Sequence, residues 1–176
     1  MVEHVLAKDE MGVRFSLAAP PFHMKHPITT HLIPQHVSHV TKSLKAAGFE
    51  AFVVGGCVRD TIMGRTPKDW DITTNAVPEQ IISLFESQGR KVVYENTFGT
   101  VAIIDENEPL DSTIRQIEIT PFRCETSYSD NRHPDSITFS KTLDEDLKRR
   151  DFTVNALAYD IENDILIDNN GGLSDI

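Results

Sequence analysis

The chain has 176 residues, of which 39% are hydrophobic, and it carries a formal net charge of −10 with only two cysteines. This length suits one domain with a core of its own and is too short for several domains. Two cysteines exclude a disulfide framework, and no apolar run is long enough to span a membrane, so we expect a cytoplasmic protein that does not bind membranes.

The predicted elements begin after an N-terminal stretch that lacks periodicity. Residues 1–32 contain three prolines and no helical or strand pattern, so we expect an N-terminal extension without regular structure. From Pro34 to Gly48 the apolar residues recur at intervals of three and four, which predicts a helix. The β-prone run Ala51–Val54 then predicts the first strand.

Two glycines end this strand. Gly55 and Gly56 lead into a segment that is compatible with a short helix and that stops at Gly64. Because glycine has no Cβ, a phosphate can approach the backbone N–H groups of such a turn. Arg59 is placed where its guanidinium can reach triphosphate oxygens. A plain strand-to-helix turn is the alternative interpretation.

A second β-prone run carries paired acids. Asp69 and Asp71 lie two residues apart, so on a strand they share one face with Cα atoms about 6.5 to 7 Å apart. Trp70, between them, is expected to face a core. Mg²⁺ in proteins takes one or two carboxylates together with substrate phosphates. Asp-x-Asp pairs also occur on solvated faces, but beside the two glycines this pair favours a nucleotide site.

The middle of the chain predicts a mixed arrangement of helices and strands. Pro78–Ser87 has the apolar spacing of a helix, and short strands are predicted at Lys91–Tyr94 and Thr100–Ile104. In Ile114–Phe122 the alternation places Glu118 between isoleucines on a strand expected to be central. Because burying an unpaired charge is costly, Glu118 is either partnered or functional. A glutamate on an exposed face is the alternative.

The last third combines a polar loop with helix signals. The polar segment Cys124–Asp135 is the best candidate for a mobile loop. Thr142 and Glu145 fit a capping box at the start of a helix that ends in basic residues. Asp151 is a candidate N-cap for a further helix over Phe152–Tyr159. Short strands are predicted at Ser136–Phe139 and Ile165–Asp168.

Three motifs, in the same order along the chain, resemble the class II tRNA nucleotidyltransferases (CCA-adding enzymes) and the bacterial poly(A) polymerases. They are residues 55–60 (GGCVRD), 69–71 (DWD) and 149–156 (RRDFTVNA). The resemblance covers most of the chain. It implies an α/β (α+β) nucleotidyltransferase-like fold of the polymerase-β type, with helices packed on a mixed sheet. It assigns the head domain to residues 33–176 and leaves the neck, body and tail outside the chain.

The resemblance also implies roles for particular residues. Metal binding and catalysis fall to three carboxylates, since Gln116–Arg123 looks like the strand that carries the third acid of the family: Asp69, Asp71 and Glu118. Nucleotide binding falls to the following residues: Gly55, Gly56, Arg59, Asp60, Arg150, Asp151 and Asn155. Arg123 and Arg132 belong to the neighbourhood of a flexible loop.

The activity implied by the resemblance is transfer of CMP and AMP from CTP and ATP to the 3′ end of tRNA with two Mg²⁺ ions. A poly(A) polymerase head, acting on another RNA 3′ end, shares every motif, and the base-selecting motif of the family falls after Ile176. Two further hypotheses are a nucleotide-binding module without turnover and an unrelated α/β domain whose acids are structural. Because Lys and Arg dominate affinity for nucleic acid, the net charge of −10 predicts that sustained RNA contact uses other segments.

Overall fold

The computed structural model describes residues 28–95, 99–125 and 137–176. Its helices are α1 (Gln35–Ala46), α2 (Gly56–Ile62), α3 (Pro78–Ser87) and α4 (Leu143–Lys148). Its strands are β1 (Ala51–Val54), β2 (Trp70–Thr74), β3 (Lys91–Tyr94), β4 (Val101–Ile104), β5 (Gln116–Pro121), β6 (Arg123–Glu125), β7 (Ile137–Phe139), β8 (Ala158–Asp160) and β9 (Ile165–Ile167). Single 3-10 turns lie at Thr30–Leu32, Thr153–Asn155 and Gly172–Asp175. None of the helices in these ranges is both long and apolar enough to cross a membrane.

Seven strands form one mixed sheet in the order β3-β4-β5-β2-β1-β8-β9. Only β2 and β5 run parallel, and every other neighbouring pair in this sheet is antiparallel. β6 and β7 form a separate two-stranded sheet. The predicted fold class is confirmed, and β5 is central, as its sequence predicts.

The sheet is buried on both faces. Val53 of β1 lies in a large cluster with Leu44 of α1 and Phe85 of α3, and these three side chains are 0 or 1% exposed. Val54 points to the other face, where it packs in a smaller cluster with Leu147 of α4. Burial of each such side chain stabilises the fold by about 1.5 to 3 kcal/mol. Strand β1 is thus held rigidly immediately before the two glycines.

The packed part of the chain starts earlier than the predicted boundary at residue 33. Ile28 belongs to the predicted extension, yet its side chain is 0% exposed and lies in the main core cluster. A 3-10 turn at Thr30–Leu32 then connects it to α1. Residues 28–32 are therefore part of the folded domain.

Two local predictions near the C-terminus are wrong. Thr142 precedes α4, but its side chain makes no capping hydrogen bond. Its backbone N–H donates to Ser140 Oγ at 3.0 Å and not to Glu145, whose carboxylate accepts a hydrogen bond from the Ser140 hydroxyl. The helix expected over Phe152–Tyr159 is replaced by a 3-10 turn and strand β8. β8 pairs with β1, whose buried backbone groups require hydrogen-bond partners on that side.

Candidate active site

Three carboxylates predicted to act together are brought together by the pairing of β2 with β5. In the parallel register of these strands, Asp71 lies directly opposite Glu118. Asp69 immediately precedes β2, and Trp70 between the two aspartates is 2% exposed and packs in the core, as predicted. Strand alternation therefore directs both aspartates to the face on which Glu118 lies.

The electrostatics show that these carboxylates crowd one another. Burial, followed by the charges of Asp69 and Glu118, raises the pKa of Asp71 to about 6, and Arg150 opposes this rise. Burial, followed by the charges of Glu95 and Asp69, also raises the pKa of Glu118. The cluster therefore carries more negative charge than its surroundings neutralise, which is the condition that a bound cation relieves.

The donor set is incomplete for a metal ion enclosed by protein alone. Within the described ranges, no three or more His, Cys, Asp or Glu side chains form a ready-made metal-binding group. Mg²⁺ commonly binds through one or two carboxylates and takes its other ligands from water and substrate phosphates. Asp71 and Glu118, opposite each other on neighbouring strands, are carboxylates of the kind that this open mode of binding uses.

The glycine turn at Gly55 lies next to the Asp71 carboxylate. Gly55 has φ of +85° and ψ of −141°, a conformation that residues with a side chain rarely adopt. A Cβ at this position would lie 3.4 Å from Arg150 Nη1 and 3.7 Å from Asp71 Oδ2. The missing side chain thus leaves a narrow space between the turn, a cationic group and a catalytic candidate.

Arg59, Asp60 and Asn155 form a second group beside the turn. The Nη1 atom of Arg59 donates a hydrogen bond to Asn155 Oδ1 at 2.6 Å. Its Nε and Nη2 atoms both donate to Asp60 Oδ1, at 2.9 and 2.8 Å. Nη2 lies 3.6 Å from the position of a Cβ on Gly56. These contacts join α2 to the 3-10 turn at Thr153–Asn155 and orient the guanidinium.

Sequence reasoning missed Asp146, which holds Arg150. Asp146 is 0% exposed, and its Oδ2 atom accepts a hydrogen bond from Arg150 Nη2 at 3.1 Å. The signal available in the sequence is the spacing, since arginines follow this acid at three and four residues. That spacing is also typical of exposed ion pairs on helices, so it does not reveal the burial.

Of three other predicted residues, two take less central positions and the third lies outside the described residues. Asp151 is exposed and forms no hydrogen bond or ion pair with any residue that the structure describes. Arg123 begins β6, and its backbone N–H donates to Asp146 Oδ1 at 3.2 Å. Arg132 and most of the predicted loop over Cys124–Asp135 lie outside the described residues.

The chain is similar in sequence and fold to known proteins. A family model of the poly(A) polymerase head domain matches residues 51–176. The CCA-adding enzyme of Lactiplantibacillus plantarum is 44% identical over 142 residues, which make up 81% of this chain and 32% of that protein. The chain therefore spans about a third of the length of that relative.

Solved structures of tRNA nucleotidyltransferases also match this chain. The Bacillus stearothermophilus CCA-adding enzyme in complex with CTP matches with a TM-score of 0.64 and 34% identity, over 81% of this chain and 32% of that one. A tRNA nucleotidyltransferase complexed with a primer tRNA and an incoming ATP analog matches with a TM-score of 0.53 and 31% identity, over 77% of this chain and 36% of that one.

Proposed function

The chain belongs to the family of poly(A) polymerase head domains, and from this membership we propose that it is the catalytic head of an enzyme that adds CMP and AMP to the 3′ end of tRNA. CTP and ATP are the proposed substrates. The observation that carries the proposal is the placement of Asp71 opposite Glu118 and beside Gly55. The names of the similar proteins, which include complexes with CTP and with primer tRNA, support the choice of substrates.

Asp69, Asp71 and Glu118 are the proposed ligands of Mg²⁺. All three are oxygen donors on neighbouring segments, and the raised pKa of Asp71, caused by burial and then by the other two acids, marks a site that favours a cation. When bound, two Mg²⁺ ions lower the pKa of the attacking RNA hydroxyl and neutralise the leaving pyrophosphate.

The glycine turn and its basic neighbours hold the triphosphate in this proposal. Gly55 admits phosphate oxygens close to the backbone, and Arg59, fixed by Asp60 and Asn155, supplies charged donors. Positioning and charge neutralisation account for most of the acceleration in this kind of reaction. The triphosphate and the attacking RNA hydroxyl are thus held next to each other, beside Asp69, Asp71 and Glu118.

The cysteine in the turn is not a nucleophile. Cys57 is buried, its Sγ–H donates to the carbonyl oxygen of Val54 at 3.2 Å, and burial raises the pKa of its thiol to about 12. Because the thiolate is the reactive form, this thiol is inert at neutral pH. In this proposal the RNA hydroxyl attacks the nucleotide directly, without a covalent intermediate on Cys57.

The test is transfer to a defined tRNA. The chain is incubated with Mg²⁺, CTP, ATP and a tRNA that lacks its terminal CCA, and the intact mass of the RNA is measured. The expected product carries two added cytidylates and one adenylate, and Asp71→Ala abolishes the addition. Long adenylate tails would identify a poly(A) polymerase head instead. Binding of CTP with no change in RNA mass would favour the nucleotide-binding module.

A further inference from the structure

Asp146 is a buried carboxylate with an unusually full set of partners. Its side chain is 0% exposed, and its Oδ1 atom accepts hydrogen bonds from Arg149 Nε at 3.0 Å, Arg149 Nη2 at 2.7 Å and the Arg123 backbone N–H at 3.2 Å. Its Oδ2 atom accepts from Arg150 Nη2 at 3.1 Å and from Thr73 Oγ1 at 3.2 Å. Five donors thus converge on one charge.

These partners belong to the elements that build the active site. Thr73 lies on β2, two residues after Asp71. Arg123 begins β6 and follows the end of β5, the strand that carries Glu118. Asp146 therefore ties α4 to β2 and to the start of β6, shortly after the end of β5.

Arg150 is held at one end only. Its Nη2 atom bonds to Asp146, while its Nη1 atom lies 3.4 Å from the position of a Cβ on Gly55. The Nε atom is buried without a hydrogen-bond partner among the described residues. The guanidinium thus reaches the glycine turn with Nη1, the atom that an anionic ligand at the turn would meet.

Removing the anchor leaves this guanidinium next to a competing carboxylate. Arg150 Nη1 and Asp71 Oδ2 lie 3.4 and 3.7 Å from the same point, the position of a Cβ on Gly55, so the two side chains face one small space. Without Asp146, a direct ion pair between Arg150 and Asp71 becomes the nearest alternative. Such a pair would prevent Asp71 from binding a metal ion and Arg150 from binding the triphosphate.

We propose that Asp146 is a positioning residue, which fixes Arg150 at the glycine turn so that Nη1 meets the triphosphate and stays off Asp71. This assignment rests on the proposed nucleotide site. Asp146 acts through Arg150 and does not itself touch the nucleotide. Its negative charge, not only its shape, is required, because two guanidinium groups share one buried acceptor.

Asp146→Asn tests the assignment, with Asp160→Asn as the matched control. Asp160 is also buried and bonded to a cation, Lys45 Nζ at 2.5 Å, but it lies on β8 and contacts none of the site residues named above. CTP binding in Mg²⁺ is measured by calorimetry, and the free energy of unfolding by urea titration. Both variants should lose stability, and only Asp146→Asn should weaken CTP binding, by about ten- to a hundredfold.

Equal CTP affinity in Asp146→Asn and the unaltered chain would overturn the assignment, as would an equal loss in Asp160→Asn. A failure of the unaltered chain to bind CTP would overturn the proposed function and this assignment with it. The two failures are thus distinguishable in one titration series.

Variants of Arg150 keep the test decisive if Asp146→Asn does not fold. Arg150→Lys retains the charge but cannot reach Asp146 and the glycine turn with one ammonium group, so it should lose CTP affinity as Arg150→Ala does. Where the double variant Asp146→Asn with Arg150→Ala folds, it should bind CTP no more weakly than Arg150→Ala alone. Unchanged CTP binding by Arg150→Lys, or an additive loss in the double variant, would overturn the assignment.

Discussion

Replacing Asp71 with asparagine is expected to stabilise the metal-free chain at neutral pH. Burial and the charges of Asp69 and Glu118 raise the pKa of Asp71 to about 6 in the folded chain, whereas an unfolded chain has an aspartate pKa of about 3.9. A difference of about 2 pKa units corresponds to roughly 3 kcal/mol of folding free energy. Because asparagine cannot reproduce every contact of the carboxylate, we expect a gain of about 1 to 3 kcal/mol.

The gain should depend on pH with a defined sign. Below about pH 3 the carboxyl group is protonated in both the folded and the unfolded chain, so the two proteins should be almost equally stable. As pH rises from about 3 to about 6, the unfolded chain loses this proton first, and the wild type loses stability relative to Asp71→Asn. Above about pH 7 the difference should be constant. Urea unfolding in EDTA, followed from about pH 3 to about pH 8, measures it.

Asp160→Asn is the control with the opposite sign. Burial alone would raise the pKa of Asp160, but hydrogen bonds from Lys45 and Asn163 and the charge of Lys45 lower it overall. The charged form therefore stabilises the fold at neutral pH, and asparagine should weaken it. Equal stability of Asp71→Asn and wild type at about pH 7.5, or a gain that does not change with pH, would refute the raised pKa of Asp71. Added Mg²⁺ should stabilise wild type and leave Asp71→Asn almost unchanged.

Three further substitutions test other parts of the site. In Gly55→Ala, the added Cβ lies on a residue with φ of +85° and is 3.4 Å from Arg150 Nη1. The free energy of unfolding, measured in urea, should fall by about 1 to 3 kcal/mol, and unchanged stability would contradict the strain at this turn. Gly172→Ala would place a Cβ 2.1 Å from the carbonyl oxygen of Thr153. The free energy of unfolding should fall by about 1 to 3 kcal/mol or more, which thermal unfolding detects as a lower melting temperature. An unchanged melting temperature would rule out this close contact. Arg59→Lys loses the fork of donors, so the nucleotide KM should rise about tenfold, and an unchanged KM would remove this residue from the triphosphate site.

Strand periodicity predicts much of the acid cluster. The alternation around Trp70 is enough to place Asp69 and Asp71 on one face, and the alternation around Glu118 is enough to place it on a buried central strand. Neither pattern states that β5 runs parallel to β2 with Glu118 opposite Asp71. That register depends on how β3 and β4 return the chain to the sheet, which is a tertiary property.

The incorrect helix over Phe152–Tyr159 and the missed residue Asp146 share a cause. The segment over Phe152–Tyr159 has residues that a helix accepts, but the open edge of β1 recruits Ala158–Asp160 as a strand. Asp146 and the arginines that follow it have the spacing of exposed ion pairs on a helix. Asp146 is buried only because α4 packs against the sheet. Local patterns predict elements well here, whereas edge pairing and burial of a charge require the whole fold.

The most direct measurement of the central claim is a crystal structure of the chain grown with CTP and Mn²⁺, because anomalous scattering locates the metal. The arrangement of the site predicts manganese bound by Asp69, Asp71 and Glu118, with the triphosphate against Gly55. Manganese at another place, or a triphosphate remote from the glycine turn, would contradict the claim that these acids and this turn form one nucleotide site.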